Sequence, residues 1–292
     1  MTAIAEQMKI SALQPWFGGK RTLAPRIVAE FGPHSTYWEP FCGSCAVLFA
    51  KPEARMETVN DLHGDLVNFA RVVKDEDQCA RLHWRLLRTL PCEQLYNEAR
   101  NEITKTQPPP LTFRAEMIDR AYFYFLYGWL GISGFGGTKD SNTSLAIRYS
   151  GTGGAPATRF TNAVDSLPWW HERLRAVFIL SKCGIETVEK IRDEKGTVVY
   201  VDPPYLVKSA QYVHDFKPED HQRLAAALCK LKQARAVVSY YEHPMLDELY
   251  PGWRKVITTA PKFITQGGSR KPGKVDAPEV LLVNGPPIEP KS

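Results

Sequence analysis

Thr197-Val198-Val199-Tyr200-Val201-Asp202-Pro203-Pro204-Tyr205 is a β-branched and aromatic run that stops at two prolines. Its first five residues, following Gly196, predict a buried strand. Pro203 and Pro204 carry no backbone N–H and cannot continue a sheet interior. Pro204 also holds Pro203 in an extended conformation. The strand end therefore presents the Asp202 carboxylate and its neighbouring carbonyls with no local donor, and Tyr205 sets a flat ring beside them. Open α/β sheets bind ligands at the carboxyl ends of their strands. Acceptors next to a ring suit a planar ligand that carries an amino group. The plainer reading is a strand that happens to end in a Pro-Pro turn, and the rest of the chain has to choose.

Upstream, Gln14-Pro15-Trp16-Phe17-Gly18-Gly19-Lys20 combines a sharp turn, a stacking face and a point charge. Gln14 and Arg21 stand where a phosphate-binding P-loop needs Gly and Ser or Thr, so that motif is excluded. A helix is expected from Thr22 to Phe31, with Pro25 in its first turn and Gly32-Pro33 beyond its end. Tyr37 to Phe41 predicts a strand, Cys42-Gly43-Ser44-Cys45 a tight turn, and Ala46 to Ala50 a helix. That succession is the first βα turn of a nucleotide-binding fold, where backbone amides receive a polar ligand. Glu57 to Asp61 predicts a second strand, ending in an acid 18 residues past Gly43. A carboxylate there can accept from ribose hydroxyls, or it can N-cap a helix from Leu62 to Val73.

Asp202-Pro203-Pro204-Tyr205 resembles the catalytic motif of amino-group methyltransferases that act on adenine N6 or cytosine N4. Trp16 to Lys20, Glu39-Pro40-Phe41-Cys42-Gly43, Asn60-Asp61 and Asp202 to Tyr205 occur in the order found in Dam-like DNA adenine-N6 methyltransferases of the alpha group. The resemblance runs from Gln14 to Asn284. It implies a Rossmann-like, seven-stranded α/β sheet that binds S-adenosyl-L-methionine, with an inserted, mostly helical target-recognition domain. It implies that Trp16, Gly18, Gly19, Lys20, Glu39, Pro40, Phe41, Gly43, Asp61 and Asp202 line the cofactor site, and that Asp202, Pro203, Pro204 and Tyr205 hold a flipped adenine. The family turn usually has a second glycine where Cys45 stands, so the Cys45 side chain is expected to crowd the methionine moiety.

The remaining signals bound this reading. The chain has 292 residues, enough for an α/β domain with an insertion. The longest apolar run, Ala121 to Ile132, is 12 residues, too short to span a bilayer. Met1 to Lys9 lacks a signal-peptide pattern, so a cytoplasmic protein that meets no membrane is expected. Cys42 and Cys45 are the one C-x-x-C among six cysteines, which fits no zinc site, and no metal is expected. A thiol-redox role for that pair is the rival from another class.

Residues 1–74 and 176–292 are assigned to the catalytic domain and 75–175 to the insertion. Between Arg81 and Phe160 ten Lys/Arg face six Asp/Glu, an excess of four that accounts for most of the net charge of +5. Such a surface suits phosphates, although a plain solvated face has the same composition. Arg114 to Leu130 predicts an aromatic helix whose Tyr122, Phe123, Phe125, Tyr127 and Trp129 read as core before they read as a base-stacking platform. Eight of 20 glycines fall between Gly128 and Gly154, which predicts a loop or hairpin. Lys139, Arg148 and Arg159 lie along it and are assigned to double-stranded DNA. Downstream, Trp169 to Phe178 predicts a helix, Pro218 to Lys232 another, and Ala236 to Tyr240 a strand. Val256 to Thr259 and Glu279 to Val283 predict an antiparallel pair, joined by a basic loop from Lys262 to Pro278. The expected activity is adenine-N6 methylation by a monomer. Cytosine-N4 methylation and a non-catalytic DNA-binding protein on the same fold are the alternatives.

Overall fold

Seven strands form one sheet in the order β3-β2-β1-β4-β5-β7-β6. They are β1 (Thr36–Glu39), β2 (Met56–Asn60), β3 (Val177–Leu180), β4 (Thr197–Val201), β5 (Arg235–Tyr241), β6 (Arg254–Thr258) and β7 (Glu279–Val283). The computed structural model describes residues 9–105, 114–132, 144–149, 154–206, 216–258 and 278–288. Strands β1 to β5 pair in parallel, whereas β7 runs antiparallel to both β5 and β6. From β1 the chain moves outward to β2 and β3, and from β4 it moves outward to β5. The order thus reverses between β1 and β4, which leaves a crevice at their carboxyl ends.

Strand alternation divides the interior in two. Val198, Tyr200, Val237, Leu281 and Val283 face one hydrophobic cluster, while Val199, Val201, Val238, Val280 and Leu282 face the other. The period of two along a strand buried on both faces produces this division. On the first face lie α1 (Ala24–Ala29), α2 (Ala46–Ala50) and α3 (Gly64–Lys74). The second face is covered by α8 (Gly184–Glu189), α9 (Pro218–Leu228) and α10 (Met245–Leu249).

Residues 75–175 contribute four helices among the described residues, α4 (Glu76–Leu87), α5 (Glu93–Lys105), α6 (Arg114–Leu130) and α7 (Pro156–Leu174). Their buried side chains do not form a separate core. Phe69 of α3 meets Phe125 of α6 at 6.0 Å and Trp170 of α7 at 6.3 Å between ring centroids. Tyr122, Phe125 and Trp129 are buried, so the aromatic stripe is core. Two buried ion pairs cross the same boundary, Arg173 with Glu57 and Arg120 with Asp65. A charge removed from such a pair strands its partner in low dielectric, which costs about 3–5 kcal/mol.

One expectation fails here. The helix expected over Trp169 to Phe178 is instead the end of α7, followed by β3. Val177 to Leu180 is only four residues long and occupies the sheet edge, with Phe178 largely exposed. A run this short has no readable period.

Candidate active site

The Asp202 carboxylate stands at the end of β4 and, against the expectation of no local donor, is met by one donor from nearby and one from far along the chain. Lys20 Nζ lies 2.8 Å from Asp202 Oδ2. The Tyr205 hydroxyl, three residues on, donates to Asp202 Oδ1 at 3.0 Å. Burial raises the Asp202 pKa above the ordinary carboxylate value; the Lys20 ammonium pulls it back down and the Glu279 carboxylate pushes it up. Tyr205 is buried, with its ring edge-on to Tyr241 at 4.6 Å.

Lys20 reaches Asp202 because of the turn before it. Gly19 N–H donates to Trp16 O at 3.1 Å, Gly18 takes a φ of +68°, and Lys20 Nζ donates to Gly18 O at 2.7 Å. The lysine is 6% exposed and passes 5.1 Å from the centroid of the Tyr205 ring. Three of its contacts are thus fixed before any ligand arrives.

The turn after β1 is built on Gly43. Its φ is +45°, and a β-carbon there would lie 2.8 Å from Trp16 Nε1. Close backbone approach to the indole therefore requires glycine. Gly43 N–H donates to Asp61 Oδ2 and His63 N–H to Asp61 Oδ1, both at 2.9 Å. Asp61 ties the ends of β1 and β2 together. It is not the N-cap of α3, because that position belongs to His63, whose Nδ1 accepts from Leu66 N–H. Asn60 completes the frame by donating to Pro40 O and Lys182 O at 2.9 Å. Glu39 is buried and accepts from the Tyr37 hydroxyl at 2.9 Å. Burial raises its pKa to about 8, against the opposing effect of that hydrogen bond.

Cys45 does not crowd the ligand space. It takes a φ of 59°, the one positive φ outside glycine among the described residues, and its side chain packs into the hydrophobic core. The hydrogen bond with the Cys45 thiol, and then burial, push the Cys42 pKa well up. A redox thiol needs the opposite shift, so the thiol-redox reading is dropped.

A cleft of about 1000 Å³, counted out to its open mouth, lies over these elements. Trp16, Gly18, Gly19, Lys20, Glu39, Pro40, Phe41, Gly43, Asp61, Asp202, Pro203, Pro204 and Tyr205 all line it. It also has walls that the sequence reading missed. Phe216 meets Phe41 edge-on at 5.6 Å, and Gly184 leaves room for the Phe41 ring, which a β-carbon would overlap at 2.4 Å. Glu279, the first residue of β7, touches both Tyr205 and Lys20. An acid opening a strand was its only local signal.

The residues assigned to DNA do not share one environment. Arg148 is exposed beside exposed Ile147 and Tyr149, in a segment that bridges antiparallel to the end of α6 through Gly131 and Leu145. Arg159 has a structural duty in the fold. Its Nη2 donates to Trp129 O at 3.3 Å and Gly131 O at 2.8 Å, satisfying carbonyls at the end of α6. Lys139, Pro108 to Pro110 and most of the loop from Lys262 to Pro278 fall outside the described residues. Among the described residues no acidic, His or Cys cluster is arranged for a metal, and no helix is long and apolar enough to cross a membrane.

Residues 16–260 match the family model of the D12 class N6 adenine-specific DNA methyltransferases. The chain belongs to that family. It is 24% identical over 293 residues to the DNA adenine methylase of Escherichia coli K12, covering 96% of this chain and 97% of that protein. The Retron Ec67 DNA adenine methylase of E. coli is 25% identical, over 94% of this chain and 92% of its own length. Type II methyltransferase M1.LlaDCHI of Lactococcus lactis subsp. cremoris is 25% identical over 80% of this chain and 82% of its own. This methyltransferase therefore methylates adenine N6 in DNA, and the cytosine alternative falls away. Its cleft brings together a carboxylate, a buried ammonium and an aromatic ring at the carboxyl ends of β1 and β4.

Proposed function

We propose that the cleft holds S-adenosyl-L-methionine and one adenine flipped out of double-stranded DNA, with Asp202 and Pro203 accepting the two hydrogens of the adenine amino group. The observation that carries this reading is the Asp202 carboxylate, held by Lys20 and Tyr205 at the mouth of the crevice.

The residues present fit the cofactor. The Gly43 turn forms a cradle against Trp16 that any β-carbon would fill. The carboxyl of Glu39, neutral over much of its range when buried alone, would find a counter-charge in a cationic ligand. Asp61 accepts one backbone N–H on each oxygen and keeps lone pairs for ribose hydroxyls. Phe41 and Phe216 supply an apolar wall. When bound, S-adenosyl-L-methionine supplies an electrophilic methyl group on a sulfonium centre.

The protein supplies position and acceptors. The lone pair of an adenine amino nitrogen is delocalised into the ring, which makes it a poor nucleophile. The Asp202 carboxylate and the Pro203 carbonyl, stiffened by Pro204, draw on its two hydrogens and favour a more tetrahedral nitrogen. The Lys20 ammonium favours the ionised form of Asp202, the form that can accept. Tyr205, Tyr241 and Phe216 give the extruded base an aromatic wall. Double-stranded DNA is read by the segment 75–175, with Lys139 and the exposed Arg148 as its basic contacts. The enzyme acts as a monomer in the cytoplasm.

Asp202→Ala tests this reading. The variant should fold and bind duplex DNA but transfer methyl groups at less than a tenth of the normal rate, a loss of at least ~1.4 kcal/mol in the barrier. Retention of more than that tenth rejects the role given to Asp202.

A further inference from the structure

The Tyr205 hydroxyl lies 3.0 Å from Asp202 Oδ1 and 2.9 Å from Glu279 Oε1. A phenol has one hydrogen, so it can donate to only one of these acids. With both acids ionised, the other short contact would set lone pair against lone pair. One added proton would satisfy every contact: Glu279 would then donate to Tyr205 while Tyr205 donates to Asp202, or the same chain would run the other way. Shifting two hydrogens, each across one hydrogen bond, interconverts the two. Lys20 Nζ sits beside both acids, at 2.8 Å from Asp202 Oδ2 and 3.4 Å from Glu279 Oε1. Glu279 does not line the cleft; it meets the site through Tyr205 and Lys20.

We propose that Glu279 is a positioning residue of the methyl-transfer site, and that with the Tyr205 hydroxyl it forms a path that draws a proton away from Asp202. The proposal rests on the reading of Asp202 as the acceptor of the adenine amino hydrogens. Methylation leaves the amino nitrogen with one positive charge and one hydrogen in excess. Both acids start ionised beside the Lys20 ammonium; Asp202 takes that hydrogen as a proton, Tyr205 passes its own to Glu279, and the proton on Asp202 restores Tyr205. One proton has moved from the nitrogen to Glu279, and no other bond has changed. Tyr205 suits transit rather than storage, because burial pushes its pKa well above the ordinary phenol range and the charges of Asp202 and Glu279 push it the same way. The titratable groups facing this chain are Lys20 from the amino-terminal turn, Tyr37 and Glu39 of β1, Tyr200 of β4, and Tyr240 and Tyr241 of β5.

The test measures single-turnover methyl transfer to duplex DNA against pH for the wild type, Glu279→Gln, Glu279→Asp, Tyr205→Phe and the Glu279→Gln/Tyr205→Phe double variant. Removing the Glu279 charge removes one cause of the raised Asp202 pKa, so the acid limb should move to lower pH. The plateau rate should fall about 10- to 100-fold, below the ~10²–10⁴ of a direct acid–base group. Glu279→Asp should recover part of it, and Glu279→Gln should cost little more once Tyr205 is Phe. A carbon-13 titration of Asp-labelled protein, with Asp202 assigned through Asp202→Asn, should show the same downward movement without turnover. A wild-type plateau in Glu279→Gln overturns the proposal, as does a fall with an unmoved acid limb or full additivity with Tyr205→Phe. Asp202→Ala runs in parallel: if that variant stays active, the reading of Asp202 has failed, and if only Glu279→Gln behaves like wild type, the relay alone has failed.

Discussion

Gly43→Ala should damage the methyltransferase in two separable ways. At a φ of +45° any residue with a β-carbon pays ~1–2 kcal/mol for a left-handed backbone. The new methyl group would also stand 2.8 Å from Trp16 Nε1, 3.1 Å from Cδ1 and 3.2 Å from Cε2. The indole must tilt, which disturbs the wall opposite the turn. Backbone strain alone predicts a melting temperature ~2–8 °C lower, since each kcal/mol is worth ~2–4 °C in chains of comparable size. The displaced indole predicts a further loss, at least ~10-fold, or ~1.4 kcal/mol, in affinity for S-adenosylhomocysteine. Thermal melts and calorimetry read the two effects independently. Trp16→Ala provides the control. In the Trp16→Ala/Gly43→Ala double variant the clash is gone, so the two affinity losses should fall short of additive by at least ~0.5 kcal/mol. Undiminished binding by Gly43→Ala, or strict additivity, would refute the contact as the reason for glycine.

Cys45→Gly should leave affinity for S-adenosylhomocysteine unchanged, because the side chain points into the core; calorimetry checks this. Its stability should fall by ~1 kcal/mol in urea unfolding, as relief of a left-handed residue is outweighed by lost burial and added chain entropy. Arg148→Ala should weaken duplex binding and lower the salt slope by about one if it meets a phosphate. Arg159→Ala should leave the salt slope alone and cost ~1–3 kcal/mol of stability, because it uncovers carbonyls at the end of α6. Glu39→Gln tests a pH dependence. The folded state keeps a proton on Glu39 up to about pH 8, whereas the unfolded chain releases it near 4.5. The ligand-free wild type should therefore lose stability, relative to Glu39→Gln, as pH rises across that window, and melts at several pH values measure it.

What could be read from the sequence was what the chain determines locally. Val198 to Val201, the Pro203-Pro204 stop and the Gly43 turn each carry their physical reason within a few residues. Strand β4 and helix α6 were legible for that reason, whereas the residues now found around the cleft were named through a family resemblance. Contacts that depend on which strands become neighbours were not. Glu279 lies 74 residues from Tyr205 along the chain and meets it only because β7 inserts beside β5. Arg159 looked like a DNA contact because it follows a glycine-rich stretch; the carbonyls it serves belong to a helix that ended some thirty residues earlier. Cys45 was misjudged because the direction of its side chain follows from a left-handed φ that non-glycine residues rarely adopt.

The reversed direction of β7 has a consequence for how the enzyme comes into being. Because that strand runs against β5, its first residue, not its last, lies at the sheet edge that carries Asp202. Within the described sheet β6 has no neighbour except β7. A nascent chain that has emerged only as far as Thr258 already contains the glycine turn, Asp61 and Asp202, yet β6 has nothing to pair with and Tyr205 lacks its second acid. The outer sheet and the surroundings of Tyr205 are finished by the same five residues. A chain lacking them should therefore be deficient in both at once, in the pairing of β6 and in the second acid beside Tyr205.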